Sequence, residues 1–186
     1  MPSSHIWQES MNNKAYQYER IEIPNSSVLD SAEQFYDGAE FLRQLPPMSG
    51  VLLPMITNAA LAIELYIKSL CVRSIIKDYK NFGNGVYGGR VTEKPLTTGH
   101  DLSSLLLNVG DEVIDNIEFL HAEGVIEYSF SELVQLVKPY DKLFVEARYA
   151  YENDALSNLD ITGLFHCLTT LRFTIQKITR IERVLA

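Results

Sequence analysis

The chain has 186 residues, 46% of them hydrophobic and 22% charged, with a net charge of −8. That is ordinary globular composition for one domain, long enough to bury a sizeable core. The acidic balance (pI near 5.0) repels phosphate backbones at long range, which excludes unselective nucleic-acid binding and leaves room only for a local basic site.

Residues 1–29 read as an arm without an apolar h-region, so no signal peptide is expected and the cytoplasm is the expected compartment. Trp7 is a candidate to tuck onto the body. Arg20–Pro24 alternates polar and apolar residues and suits a short extended piece, followed by a loop at Asn25–Ser27. Asp30-Ser-Ala-Glu33 has the form of a capping box, a side-chain oxygen at the N-cap with a carboxylate three residues on. Behind it Ala32, Phe35, Tyr36, Ala39 and Leu42 recur at helical spacing. Leu45-Pro-Pro-Met-Ser-Gly50 stops this first helix, because proline blocks continuation.

Leu52–Val72 is almost wholly apolar and would suit the centre of the fold, in a helix running from about Leu53 to about Tyr79. Pro54 is tolerated in its first turn. Asn58, Glu64 and Lys68 sit mid-run, and each charge would cost about 2.5–3.5 kcal/mol at a bilayer centre, so no membrane span is expected. Glu64 and Lys68 lie one turn apart in the favourable order, which is worth about 0.2–0.5 kcal/mol on a surface. That is too little to justify burying both, so a third partner is expected.

Residues 81–98 break all periodicity and read as a glycine-rich loop or small hairpin. Their spacing matches neither a P-loop nor a dinucleotide fingerprint. A third helix is expected from Leu102 to Ala122, capped by Asp101 or Thr98 and softened at Gly110. Ser129-Phe-Ser-Glu132 is another capping box. Tyr140–Tyr151 reads as a fresh helix, and Asp160–Val184 as the last. Cys71 and Cys167 sit in apolar helical text and read as buried reduced thiols. No Cys/His spacing suggests zinc, and no cofactor is implied. The expected fold is all-α: an antiparallel bundle of about five helices over residues 30–186, with the arm and the insertion attached.

Three polar signals interrupt this text: Glu64 with Lys68, His100-Asp101, and Arg148-Tyr149 with Glu152. As an ordered set, AIELYIKSL, GHDLSSLL and ARYAYE resemble the HEPN-like helical domains of prokaryotes, from about Asp30 onward. The resemblance implies nucleotide or RNA binding, RNA cleavage, or a place in toxin–antitoxin or phage-defence systems. It also implies partners: a homodimer, and a nucleotidyltransferase-like protein. Ribonuclease-active members carry an arginine followed after four to six residues by a histidine. Here Arg148 is followed after four residues by Asn153, whose amide neither activates a 2′-hydroxyl nor protonates a leaving oxygen near neutral pH.

The candidate site is therefore Glu64, Lys68, His100, Asp101, Arg148, Tyr149, Glu152 and Asn153, with His100 and Arg148 the candidates for catalysis. Each also has a bland reading. The charges would brace the fold, His100 would cap a helix, and the tyrosines would pack with a hydroxyl to satisfy. His5, His121 and His166 read as surface or core histidines. The absent arginine–histidine pair and the acidic charge favour a non-catalytic interaction or dimerisation module. The alternative is a nucleotide- or RNA-binding protein or ribonuclease. A general acid/base enzyme using His100 with Glu64 on a small molecule is a third reading.

Overall fold

The computed structural model describes residues 16–46, 48–96, 98–149 and 156–185. In chain order it runs β1 (Tyr16–Ile23), α1 (Ser26–Arg43), α2 (Leu52–Ser69), β2 (Val72–Gly83), β3 (Val86–Pro95), α3 (Leu102–Leu107) and α4 (Asp111–Ala122). Then come α5 (Phe130–Val137), a 3-10 turn (Lys138–Tyr140), α6 (Leu143–Arg148), α7 (Ile161–Lys177) and β4 (Ile181–Leu185). Trp7 lies outside the described residues.

The expected all-α helical bundle is overturned. The helices are joined to a four-stranded antiparallel sheet of order β3-β2-β1-β4. The arm of the sequence reading supplies β1, which pairs with both β2 and β4. The second helix ends at Ser69 rather than near Tyr79, and the last ends at Lys177 rather than Val184. In neither case does a proline or glycine mark the switch. Short Val- and Ile-rich text satisfies a helical and an alternating period alike, so only tertiary pairing decides it. The hairpin turn does have a local cause. Asn84 and Gly85 both take positive φ (53° and 77°), as a two-residue type I′ turn demands.

Two other boundaries move for local reasons. Asn25, not Asp30, starts the first helix, its Oδ1 accepting the Val28 N–H at 3.1 Å. The expected 102–122 helix is two, because Gly110 is extended and opens α4, with Asp111 and Glu112 in its first turn. The capping box at Ser129 and Glu132 is present in full. The helix expected over 140–151 is shortened to Leu143–Arg148, with Pro139 inside the preceding 3-10 turn.

α2 organises the helical layer. It packs against α1, α3, α6 and α7, and Ile56, Ala59, Ala62, Ile63, Tyr66 and Ile67 are sealed from solvent. A helix buried on so many sides has no polar face to spare, so its polar residues must find internal partners. The alanines Ala32 and Ala39 on α1 and Ala59 on α2, all fully buried, leave room for close approach of the two helices. The N-terminus of α1 and the C-termini of α2 and α7 all run into sheet strands, so the sheet closes one end of the layer. Asn25 fastens that junction. Its Nδ2 donates to Ser74 Oγ and to Glu93 Oε2, both at 3.2 Å, and its backbone N–H donates to the Ser69 carbonyl at 2.7 Å. Cys71 and Cys167 are buried thiols outside any disulfide, and burial pushes Cys167 up to about 12.

Candidate functional site

α2 delivers the one carboxylate in its buried interior, Glu64, whose side chain is 3% exposed. One turn on, Lys68 donates from Nζ to Oε1 at 2.6 Å. The third partner is His100, which reaches back from the loop between β3 and α3. Its Nδ1 lies 3.0 Å from both carboxylate oxygens. A carboxylate can only accept here, so Nδ1 carries the proton, and Nε2 is the basic nitrogen. Nε2 has no hydrogen-bond partner among the described residues.

Two anchors hold His100 in place. Asp101 next to it caps α3, accepting the Ser104 N–H at 2.9 Å, and this bond above all holds its carboxyl below the usual range. Ser103 is gripped by Asp141, which accepts its N–H at 2.6 Å and its hydroxyl at 2.8 Å. On the other side the His100 ring tilts against Phe144 of α6, centroids 5.8 Å apart. The same Phe144 carries the Arg148 guanidinium 5.5 Å from its centroid, and Tyr149 lies 6.0 Å from that guanidinium.

Of the eight residues proposed from sequence, Glu64, Lys68 and His100 thus meet directly. Arg148 and Tyr149 join them through Phe144, and Asp101 acts from behind on the helix cap. Glu152 and Asn153 lie outside the described residues. Phe144, Ser103 and Asp141 were missed. Phe144 precedes Arg148 by one helical turn, a spacing that could have drawn attention to it.

Exposure rises outward along the cluster. The Glu64 side chain is sealed, Lys68 is 23% exposed and His100 49% exposed. Arg148 and Tyr149 are on the surface. Among the described residues Arg148 makes no ion pair, and aromatic faces hold it instead. One buried carboxylate therefore serves a lysine and a histidine, with a guanidinium beside them at the solvent edge that no described acid neutralises. Such a mouth attracts an anion, and an oriented imidazole stands where a proton could be exchanged.

A second polar cluster lies on the far side of α2. The Arg172 Nε donates to Glu33 at 2.8 Å, Gln176 donates to the same carboxylate at 3.0 Å, and Arg172 covers the Tyr36 ring. The Tyr66 hydroxyl points into this region with no partner at hydrogen-bond distance. Burial first, and the Glu33 charge second, keep that phenol protonated.

Among the described residues no group of three or more His, Cys, Asp or Glu side chains could hold a metal ion, and no helix is long and apolar enough to cross a membrane. No family model, curated protein or solved structure matches the chain.

Proposed function

We propose that the protein binds a nucleotide or an RNA phosphate at the mouth of the Glu64 network, as a HEPN-like helical domain joined to a sheet. The observation that carries this is the charge gradient. The only sealed carboxylate of α2 is at the bottom, and Lys68, His100 and Arg148, which pairs with no acid among the described residues, are at the open end. A purely structural network would close on itself. Arg148 and Lys68 neutralise phosphate, Tyr149 and Phe144 offer ring faces, and the Glu64-oriented His100 is available for proton exchange at Nε2. The ordered set of polar signals that resembles HEPN-like domains supports the same reading. The histidine missing after Arg148 in sequence has a spatial counterpart in His100, which shares Phe144 with it.

The test is thermal stabilisation by nucleoside monophosphates and short RNAs. Ligand at a hundred times its Kd stabilises by about 2.7 kcal/mol. Wild type should show that shift, and Arg148→Ala should lose it while melting unchanged without ligand. No shift with any of these ligands at millimolar concentration sinks the reading.

A second reading, an interaction or dimerisation module, is favoured by the turn between α1 and α2. There Phe41, Met48 and Leu52 are 64%, 101% and 55% exposed, around a cleft of about 400 Å³ lined by Leu42, Leu45 and Met55. Monomeric chains rarely leave such patches bare. Light scattering of wild type against Phe41→Ser with Leu52→Ser decides it: equal monomer masses for both end this reading.

A further inference from the structure

We infer that the solvent face of the β2–β3 hairpin is a second binding surface, a track for a single-stranded polynucleotide. It extends the preceding reading from a nucleotide to a strand, but it stands on other residues.

The hairpin runs against the charge of the chain. Residues 72–95 hold five of the sixteen Lys and Arg but two of the twenty-four Asp and Glu. Register then sorts these cations. Val72, Ser74 and Ile76 are buried, so the alternate residues Arg73, Ile75 and Lys77 face solvent. Arg73 pairs across the strands with Lys94, and Lys77 with Arg90. The result is two like-charge pairs on one face, either side of the Ile75–Thr92 row and about 13 Å apart along the strand at roughly 3.3 Å per residue. Like charges directly opposite are destabilising. Only Arg73 finds relief, an ion pair to Glu19 at 3.3 Å, and no described carboxylate pairs with Lys77, Arg90 or Lys94.

Edge protection explains half of this. Lysines and arginines on an edge strand deter pairing with other chains, which suits Arg90 and Lys94 on β3. It does not explain Arg73 and Lys77, because β2 is an interior strand flanked by β1 and β3. Beyond the cations the ribbon turns aromatic. Past a bulge in β2, Lys80 lies opposite Gly88 on the same face as Arg90, and it sits over the ring of Phe82, which is 63% exposed, while the stacked Tyr79 and Tyr87 take the other face. A cationic row ending in an exposed ring is the pairing that single strands use, phosphates on the charges and a base on the ring. Against an acidic body, a polyanion is the complementary occupant, and the aromatic tip selects a strand whose bases are free.

The experiment is fluorescence anisotropy of full-length protein with labelled oligo(U) RNA and oligo(dT) across a salt series. Wild type binds at low salt. Lys77→Glu with Arg90→Glu weakens binding at least tenfold and lowers the salt slope by about 0.7 per lost phosphate contact. Phe82→Ala gives a smaller loss with the salt slope kept. All these side chains are exposed, and circular dichroism checks that the variants stay folded. Stronger RNA than DNA binding, or the reverse, names the sugar and supports the track either way. If wild type binds neither oligomer, or the charge-reversed variant binds like wild type, the inference is overturned. It is overturned equally if charge reversal instead abolishes self-association, since the occupant is then the acidic body of a second copy. Arg148→Ala separates the two sites: it removes the mononucleotide shift and leaves the hairpin-dependent anisotropy in place. A wild type with no mononucleotide shift but hairpin-dependent oligomer binding ends the first reading alone.

Discussion

Among the described residues two carboxylates are buried in ion-pair networks, and they are treated differently. Glu22 on β1 is held by Arg180 at 2.7 Å and more loosely by Arg20 at 3.5 Å. Both guanidiniums also reach Glu182 on β4, Arg20 at 2.5 Å and Arg180 at 4.0 Å. Two acids and two arginines cancel, and the strands are braced. Glu64 has one lysine and one histidine, with Arg148 beside them holding no described acid. The first network is closed in charge and the second is open. A closed network accounts for itself as structure, whereas an open one leaves positive charge for something outside the chain to neutralise.

The comparison breaks most sharply at Lys68. Lys68→Met leaves the sealed Glu64 carboxylate with His100 alone, and removing one partner of a buried pair costs about 3 kcal/mol or more. Urea denaturation reads this directly, and a loss below about 1 kcal/mol means that Lys68 does not hold Glu64. Glu22→Gln should be milder, about 1.5 kcal/mol, because Arg20 and Arg180 keep Glu182 and reach solvent. If Glu22→Gln proves the more damaging of the two, the assignment of open and closed is reversed.

Acid offers a smaller test. The Asp101 pKa is depressed on folding, chiefly by the Ser104 N–H, so its contribution is present above the unfolded value of about 3.9 and lost as pH falls through the folded one. Asp101→Asn should lower the melting temperature at neutral pH and flatten its fall below about pH 4, so that variant and wild type converge in acid. An acid limb identical to wild type removes Asp101 as an anchor of the His100 loop. Arg148→Ala should move stability least, within about 0.5 kcal/mol, since the residue is exposed and makes no ion pair among the described residues. Its effect is on ligand: stabilisation by phosphate-bearing compounds disappears in this variant and persists in Glu22→Gln.

The open network was legible in the sequence because its parts are expensive. Charges inside an apolar helix demand partners, and His100 and Arg148 were the polar residues opening or closing neighbouring helices. The Asp101 cap and the Ser129–Glu132 box were legible because capping is local. The strands were not, since β1 becomes a strand only when β2 and β4 lie beside it, and nothing around Leu70 to Val72 breaks the helical pattern. Phe144 hid among packing aromatics, and Tyr66 within the apolar run of α2. The like-charge rows of the hairpin need a register, which the sequence does not print.

The strand order has a kinetic consequence. β1 sits between β2, some fifty residues later, and β4, which begins at Ile181. Contacts between such distant segments form slowly, because a long loop must close before pairing rewards it. During synthesis one edge of β1 is covered as soon as β2 emerges, while the other stays open until β4 has left the ribosome. Nascent chains stopped just short of Ile181 should therefore be far more prone to aggregate than the finished protein.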